Sequence, residues 1–219
     1  IYTVLTSSAA SDVYKRQWCL GYHGNPMLTI HNLSSDLLPN IDLLEVLPGQ
    51  CLAIHGESGS GKTLLLRAIA DLDPNHANIE LNHQSRDAIS AHEWRSKVIY
   101  LPAESFWWSD QVLAHFNQRF QPETLGLSSE ISNWQVSRLS TGEKQRLALL
   151  RALDREPSVL LMDETTANLD QENTLRVEKL IATKCAEGLG VIWVSHDPQQ
   201  RQRIADKSYR IDPTGLRED

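Results

Sequence analysis

Eight residues, Gly56-Glu57-Ser58-Gly59-Ser60-Gly61-Lys62-Thr63, fit the pattern G-x-x-x-x-G-K-[ST] at every fixed position. Such a run makes a phosphate cradle. Its glycines let successive backbone N–H groups turn toward phosphate oxygens, and a following helix adds the partial positive charge of its N-terminus. Lys62 then reaches the β- and γ-phosphates of a nucleotide, and the Thr63 hydroxyl ligates Mg²⁺. The metal needs a second acidic group at the end of a neighbouring strand, and Leu160-Leu161-Met162-Asp163-Glu164 supplies one. Asp163 is expected to hold Mg²⁺, mostly through water, and Glu164 to orient or deprotonate an attacking water. The bland alternatives are a Gly/Ser-rich turn and a strand ended by two solvated acids. Each is common alone and disfavoured beside the other.

These residues need a strand before the loop and a helix after it. Cys51-Leu52-Ala53-Ile54-His55 is a short apolar run suited to a buried strand, and Leu64-Leu65-Leu66-Arg67-Ala68-Ile69-Ala70 reads as helix. Upstream, residues 27–33 alternate like a half-buried strand and residues 41–46 offer another before Pro48-Gly49, together a small antiparallel flank. Downstream, Asp71-Leu72-Asp73-Pro74-Asn75 breaks the helix, residues 79–81 form a brief strand, 91–97 a polar helix and 98–101 an apolar strand closed by Pro102. Residues 104–138 contain no strong strand. Within them 110–116 reads as an amphipathic helix in a helical insertion. Helix 142–153, strand 158–162, helix 172–186 closed by Gly188 and Gly190, and strand 191–194 complete the pattern. Continuous apolar strands alternating with helices predict an α/β fold of the P-loop NTPase type. It has a mainly parallel core sheet, a small antiparallel β flank and a reduced helical subdomain at about 104–152.

Composition narrows the class. The 219 residues suit one domain, and a formal charge of −7 argues against a surface that coats nucleic acid. Cys19, Cys51 and Cys185 show no C-x-x-C spacing, so neither a disulfide framework nor a zinc site is indicated, and a cytoplasmic setting fits. No stretch approaches the roughly 18 apolar residues of a membrane span, so any membrane role is borrowed from a partner. Residues 1–17 read as the in-frame translation of a transposase-library sequencing adapter, on Ser7-Ser8-Ala9-Ala10-Ser11-Asp12-Val13-Tyr14-Lys15-Arg16-Gln17 and Ile1-Tyr2-Thr3. Residues 18–26 are then an untranslated or disordered lead, Met27 the expected start, and 27–219 a single ATPase domain.

Leu139-Ser140-Thr141-Gly142-Glu143-Lys144-Gln145-Arg146 lies one helix ahead of the Asp163-Glu164 strand. Alone, Ser140 is only a helix cap. In this position the run resembles the LSGGQ signature of ATP-binding cassette transporter ATPases, and the chain resembles a small stand-alone cassette subunit of that family. Ala167-Asn168-Leu169-Asp170 resembles its D-loop, and Val194-Ser195-His196-Asp197 its switch-histidine segment. The resemblance spans about residues 27–210. It implies that two cassettes pair head to tail, so that Ser140, Thr141, Gly142 and Glu143 of one complete the ATP site of the other. It also implies that Lys62, Glu164 and His196 are catalytic, that Asp170 is the D-loop residue, and that ATP and Mg²⁺ are the cofactors.

Three departures stand out. The family's Q-loop glutamine aligns with Ala103, and Glu104 is expected to take part of its role. The segment Ser34-Ser35-Asp36-Leu37-Leu38-Pro39 lacks the aromatic that stacks adenine in the family, which puts base selectivity in doubt. The β-branched Thr141 replaces a glycine, a hindrance if the backbone there needs φ > 0. Trp107-Trp108 follows the altered Q-loop, either packing the insertion or facing a partner. The resulting expectation is an ATPase that drives a separate integral-membrane permease, as a homodimer or paired cassette, peripheral on the inner face of the cell membrane, with no nucleic acid partner. A soluble cassette acting on nucleic acid or the ribosome, a non-hydrolysing cassette and another P-loop enzyme such as a kinase remain alternatives. Cargo and direction are left open, a metal-efflux type among them.

Overall fold

A computed structural model describes residues 25–35, 37–117 and 120–219. The segment read as adapter translation, the lead up to residue 24, Cys19 and Asp36 lie outside the described residues. In chain order, β1 (Leu28–Ser35) and β2 (Leu38–Val46) pair antiparallel, β3 (Cys51–His55) begins the core sheet, and α1 (Lys62–Ile69) follows the glycine loop. β4 (His76–Leu81) and β5 (Gln84–Ser85) return to the flank, giving a four-stranded sheet ordered β2-β1-β4-β5. Then come α2 (Ala91–Lys97), β6 (Val98–Leu101), α3 (Thr141–Leu153), β7 (Val159–Asp163), α4 (Gln171–Ala186) and β8 (Gly190–Val194). α5 (Pro198–Ile204), β9 (Lys207–Asp212) and β10 (Gly215–Glu218) close the chain.

The core sheet runs β10-β9-β3-β8-β7-β6, and its strands from β9 through β6 are parallel. Period-two alternation divides their side chains between two cores. Leu52, Ile54, Leu161, Ile192 and Val194 pack with α1 and the antiparallel flank. Cys51, Leu160, Met162, Val191 and Trp193 pack with α3, α4 and the insertion. Because both faces are covered, β7 and β8 are buried at every residue, which is why they read as unbroken apolar runs. Each fully buried aliphatic side chain contributes about 1.5–3 kcal/mol relative to exposure.

Register is what gathers the chemistry. Ile54 pairs with Val194, Asp163 with Val194, and Leu101 with Met162. The carboxyl ends of β3, β8, β7 and β6 therefore lie along one rim, the edge where ligands bind in open parallel sheets. β10 returns antiparallel to β9, and beyond it the Asp219 carboxylate meets His55 Nε2 at 2.6 Å, which holds that carboxyl below its usual range.

The expected amphipathic helix at 110–116 does not form. Only a 3₁₀ turn, Leu113–His115, occurs there. The backbone is engaged elsewhere: Gln111 bridges Gln135, Val112 N–H donates to Trp134 O at 3.1 Å, and Val136 N–H donates to Asp110 O at 2.8 Å. Pairing with a distant segment of the same chain outcompetes a helix too short to stand alone. The described part of the insertion ahead of α3 is built from four 3₁₀ turns: Leu113–His115, Pro122–Leu125, Ser129–Asn133 and Val136–Arg138.

Candidate functional site

The glycine loop has steric requirements that explain two of its residues. A Cβ on Gly56 would lie 2.4 Å from Ile211 O in β9, and Gly61 has φ +101° with the Leu38 Cδ2 methyl 2.9 Å from where its Cβ would be. Lys62 is buried, and its Nζ donates to Gly56 O at 3.0 Å and Glu57 O at 2.8 Å. Ser60 Oγ is buried with no hydrogen-bond partner among the described residues. A folded ammonium and an orphaned hydroxyl inside one loop are the features of a cradle that accepts an anion.

At the end of β7, the Asp163 carboxylate is buried and its Oδ2 accepts two hydrogen bonds, from Thr63 Oγ1 at 2.7 Å and Tyr100 Oη at 2.9 Å. The Thr63–Asp163 oxygen pair has the hard-ligand chemistry that suits Mg²⁺, which takes one or two carboxylates and fills its shell with phosphate and water oxygens. Burial and the neighbouring carboxylate push the Tyr100 phenol well up, so it stays a donor.

Glu164 follows Asp163 in the left-handed region at φ +50°, a strained conformation for a non-glycine residue. Its Oε1 lies 2.7 Å from His196 Nε2, and both side chains are partly solvent-exposed. The turn is held at its base by Glu164 N–H donating to Val194 O at 3.2 Å.

Ser140 caps α3 in a reciprocal capping box: Glu143 N–H donates to Ser140 Oγ at 3.3 Å and Ser140 N–H to Glu143 Oε2 at 2.8 Å. The Ser140 hydroxyl also donates to Glu143 Oε2, at 2.8 Å. Thr141 opens the helix and is absent from the non-glycine residues with positive φ, so its branched side chain meets no backbone penalty. A Cβ on Gly142 would lie 3.2 Å from Leu169 Cδ2, so the signature and D-loop segments of one chain touch. Asp170 caps α4 through Asn173 N–H at 2.8 Å, which lowers its pKa. Arg146 Nη1 reaches Asn173 Oδ1 at 2.6 Å and so ties α3 to α4. Among the described residues, none of Ser140, Thr141, Gly142 and Glu143 hydrogen-bonds to the glycine loop, Asp163 or His196.

The altered Q-loop position is engaged through its backbone, with Ala103 O accepting from Gln145 Nε2 at 3.0 Å. Glu104 is exposed and makes no hydrogen bond or ion pair to a described residue. Trp107 packs against the second core, whereas Trp108 is 58% exposed beside Phe106 at 80%. The Arg151 guanidinium stands over both indoles, 4.7 and 4.9 Å from their centroids. Sequence reasoning missed Tyr100, an aromatic inside an apolar strand run, and Gln145, which only its place in the signature helix singles out.

The geometry can be set against known proteins. A family model described as ABC transporter matches residues 40–167, more than half of the chain. The chain belongs to this family. As an ABC cassette it shares 35% identity over 213 residues with the aliphatic sulfonates import ATP-binding protein SsuB of Delftia acidovorans, covering 91% of this chain and 79% of that one. Identity to aliphatic sulfonates import ATP-binding protein SsuB 2 of Xanthomonas axonopodis pv. citri is 32% over 183 residues, covering 79% of this chain. Here the cassette spans 62% of the relative's length. A bacterial Atm1-family ABC exporter with ATP bound superposes with a TM-score of 0.74 at 21% identity, over 89% of this chain and 39% of that one, which shows the shared fold. ATP is the nucleotide that this family binds.

Proposed function

We propose that this chain is the ATP-hydrolysing cassette of a transporter, acting as a homodimer or paired cassette on a separate integral-membrane permease at the inner face of the cell membrane. The observation that carries the reading is the convergence on one sheet rim of Lys62, the Thr63–Asp163 pair and the Glu164–His196 pair. In this reading loop residues 56–63 wrap the phosphates, with the Ser60 hydroxyl and Lys62 ammonium as donors. Thr63 and Asp163 would hold Mg²⁺, which neutralises charge between the β- and γ-phosphates when bound. Glu164, fixed by His196, orients the attacking water and takes its proton.

Among the described residues, the signature residues make no hydrogen bond to their own chain's phosphate loop, which supports their acting on a second copy. Engagement in trans exchanges the Ser140–Glu143 hydrogen bond for one to phosphate, so Glu143 competes with the ligand for the serine. The relatives named above are import subunits, which supports import as the direction, and the cargo is set by the permease.

The test is twofold. The purified protein should hydrolyse ATP in a Mg²⁺-dependent way, with Glu164→Gln lowering the rate about a hundredfold or more. A tagged chain expressed in its source cell should bring down a multi-spanning membrane protein from the membrane fraction. ATPase activity without such a partner, and recovery with ribosomes or DNA instead, favours the soluble alternative.

A further inference from the structure

Beneath the Glu164–His196 contact lies a buried polar network that the hydrolytic steps above leave unused. Gln200, in α5, is 2% exposed. Its Oε1 accepts from Ser195 Oγ at 2.7 Å, and its Nε2 donates to Glu178 Oε1 at 3.1 Å. Thr166 Oγ1 lies within hydrogen-bond reach of both ends of the amide, 3.2 Å from Oε1 and 3.1 Å from Nε2. Glu178 is clasped in turn by Arg203, through Nε at 2.8 Å and Nη2 at 2.7 Å. One carboxamide thus joins the end of β8, the turn after Glu164, helix α4 and helix α5.

A carboxamide is chemically suited to this place, since it offers an acceptor to hydroxyls on one side and donors to a carboxylate on the other. A buried polar network with its partners satisfied is rigid and intolerant of displacement. The residues flanking His196 are held by α5 in other ways as well. Arg201 Nη1 donates to Ser195 O at 3.1 Å, Asp197 N–H donates to Ser195 Oγ at 3.2 Å, and Asp197 Oδ1 accepts from Gln199 N–H at 2.8 Å. The His196 imidazole, by contrast, is half exposed, and its ring is tied to Glu164 Oε1.

Thr166 stands on the other side of the amide, in a turn with two functional ends. Ala167 N–H donates to Glu164 O at 3.1 Å, and Leu169 N–H donates to Thr166 O at 3.1 Å. The turn therefore carries Glu164 at its start and leads through Leu169 to Asp170. A shift of residues 167–170 is felt at Thr166, and the amide is the link from Thr166 to the strand end that bears His196.

We infer that Gln200 is a positioning residue: it sets the placement of His196 relative to Glu164 and couples the His196 segment to the turn that ends at Asp170. This rests on the hydrolytic reading of Glu164 and His196. A core role alone would lower stability without regard to His196. Positioning instead predicts a loss in the hydrolytic step that disappears once the imidazole is gone, because nothing remains to be placed.

The experiment is single-turnover hydrolysis of MgATP by four full-length proteins, wild type, Gln200→Met, His196→Ala and the double variant, followed for hours so that slow rates register. Gln200→Met removes both hydrogen-bonding ends at similar volume. It should slow the step about tenfold while the ATP concentration for half-saturation stays within about twofold, and in the His196→Ala background it should slow the step less than about twofold. Equal slowing in both backgrounds, or a loss that follows ATP affinity and leaves the rate alone, overturns the inference. If Gln200→Met does not fold, Thr166→Val takes its place in the same four-protein comparison: slowing that vanishes without His196 supports the inference, and equal slowing overturns it. An inactive wild type overturns the hydrolytic reading together with this inference, whereas an active wild type with additive defects overturns this inference alone.

Discussion

Asp163 Oδ2 takes hydrogen bonds from both Thr63 and Tyr100, so the orientation of the carboxylate is set before any metal arrives. Partners that orient a metal-binding carboxylate are worth about 10–100-fold in metal affinity. Tyr100→Phe should accordingly raise the Mg²⁺ concentration for half-maximal ATPase activity about tenfold while leaving the fold intact, checked by a Mg²⁺ titration beside a thermal melt. The sequence shows Lys62, Thr63, Asp163 and Glu164 because the chemistry proposed for them demands fixed spacings next to strands and helices, and it shows His196 only through the family resemblance. It hides Tyr100, which in Val98-Ile99-Tyr100-Leu101 is one more apolar strand residue until β6 pairs with β7. Gln200 is hidden for the opposite reason, as a polar residue in a polar run, Gln199-Gln200-Arg201-Gln202, whose burial comes only from packing of α5. Leu37, 75% exposed and one residue from the Leu38 methyl that lies against Gly61, is apolar but has no π-face to offer a base.

At the scale of elements, the glycine loop depends on a strand that arrives some 150 residues later in the chain. A methyl on Gly56 would meet Ile211 O at 2.4 Å and Ser60 Oγ at 2.8 Å. Gly56→Ala should destabilise the protein by roughly 2–4 kcal/mol in urea unfolding and abolish retention on an ATP resin, because the loop and β9 cannot both keep their places. Strands β3, β7 and β8 are legible as continuous apolar runs with both faces covered. β9 and β10 are not, since Lys207, Arg210, Arg217 and Glu218 dilute the pattern at the sheet edge. Residues 110–116 mislead in the reverse sense: the helical spacing of Val112, Leu113 and Phe116 is real, but backbone pairing with residues 134–136 claims the segment. The start of α3 is legible to within one residue, at Thr141 against the expected 142, because Ser140 reads as its cap, while the reciprocal bond from Glu143 emerges only in the structure.

In the proposed reading the whole molecule presents half of a composite site. Its signature residues are bonded among themselves and, among the described residues, make no hydrogen bond to its own phosphate loop, so a second copy is what completes the hydrolytic centre in that reading. In that reading Glu164→Gln keeps ATP binding but stalls hydrolysis, so it should double its mass in light scattering with MgATP and return to monomer with ADP. This level is the least legible from residue chemistry, because nothing in one chain's spacing announces a partner, and the expectation comes from family resemblance alone. One contact of the single chain has a practical side. Asp219 is fastened to His55, the residue immediately before Gly56. In the proposed reading a dye coupled at position 219 would therefore stand beside the strand that enters the phosphate loop and serve as an optical gauge of the loop's occupancy.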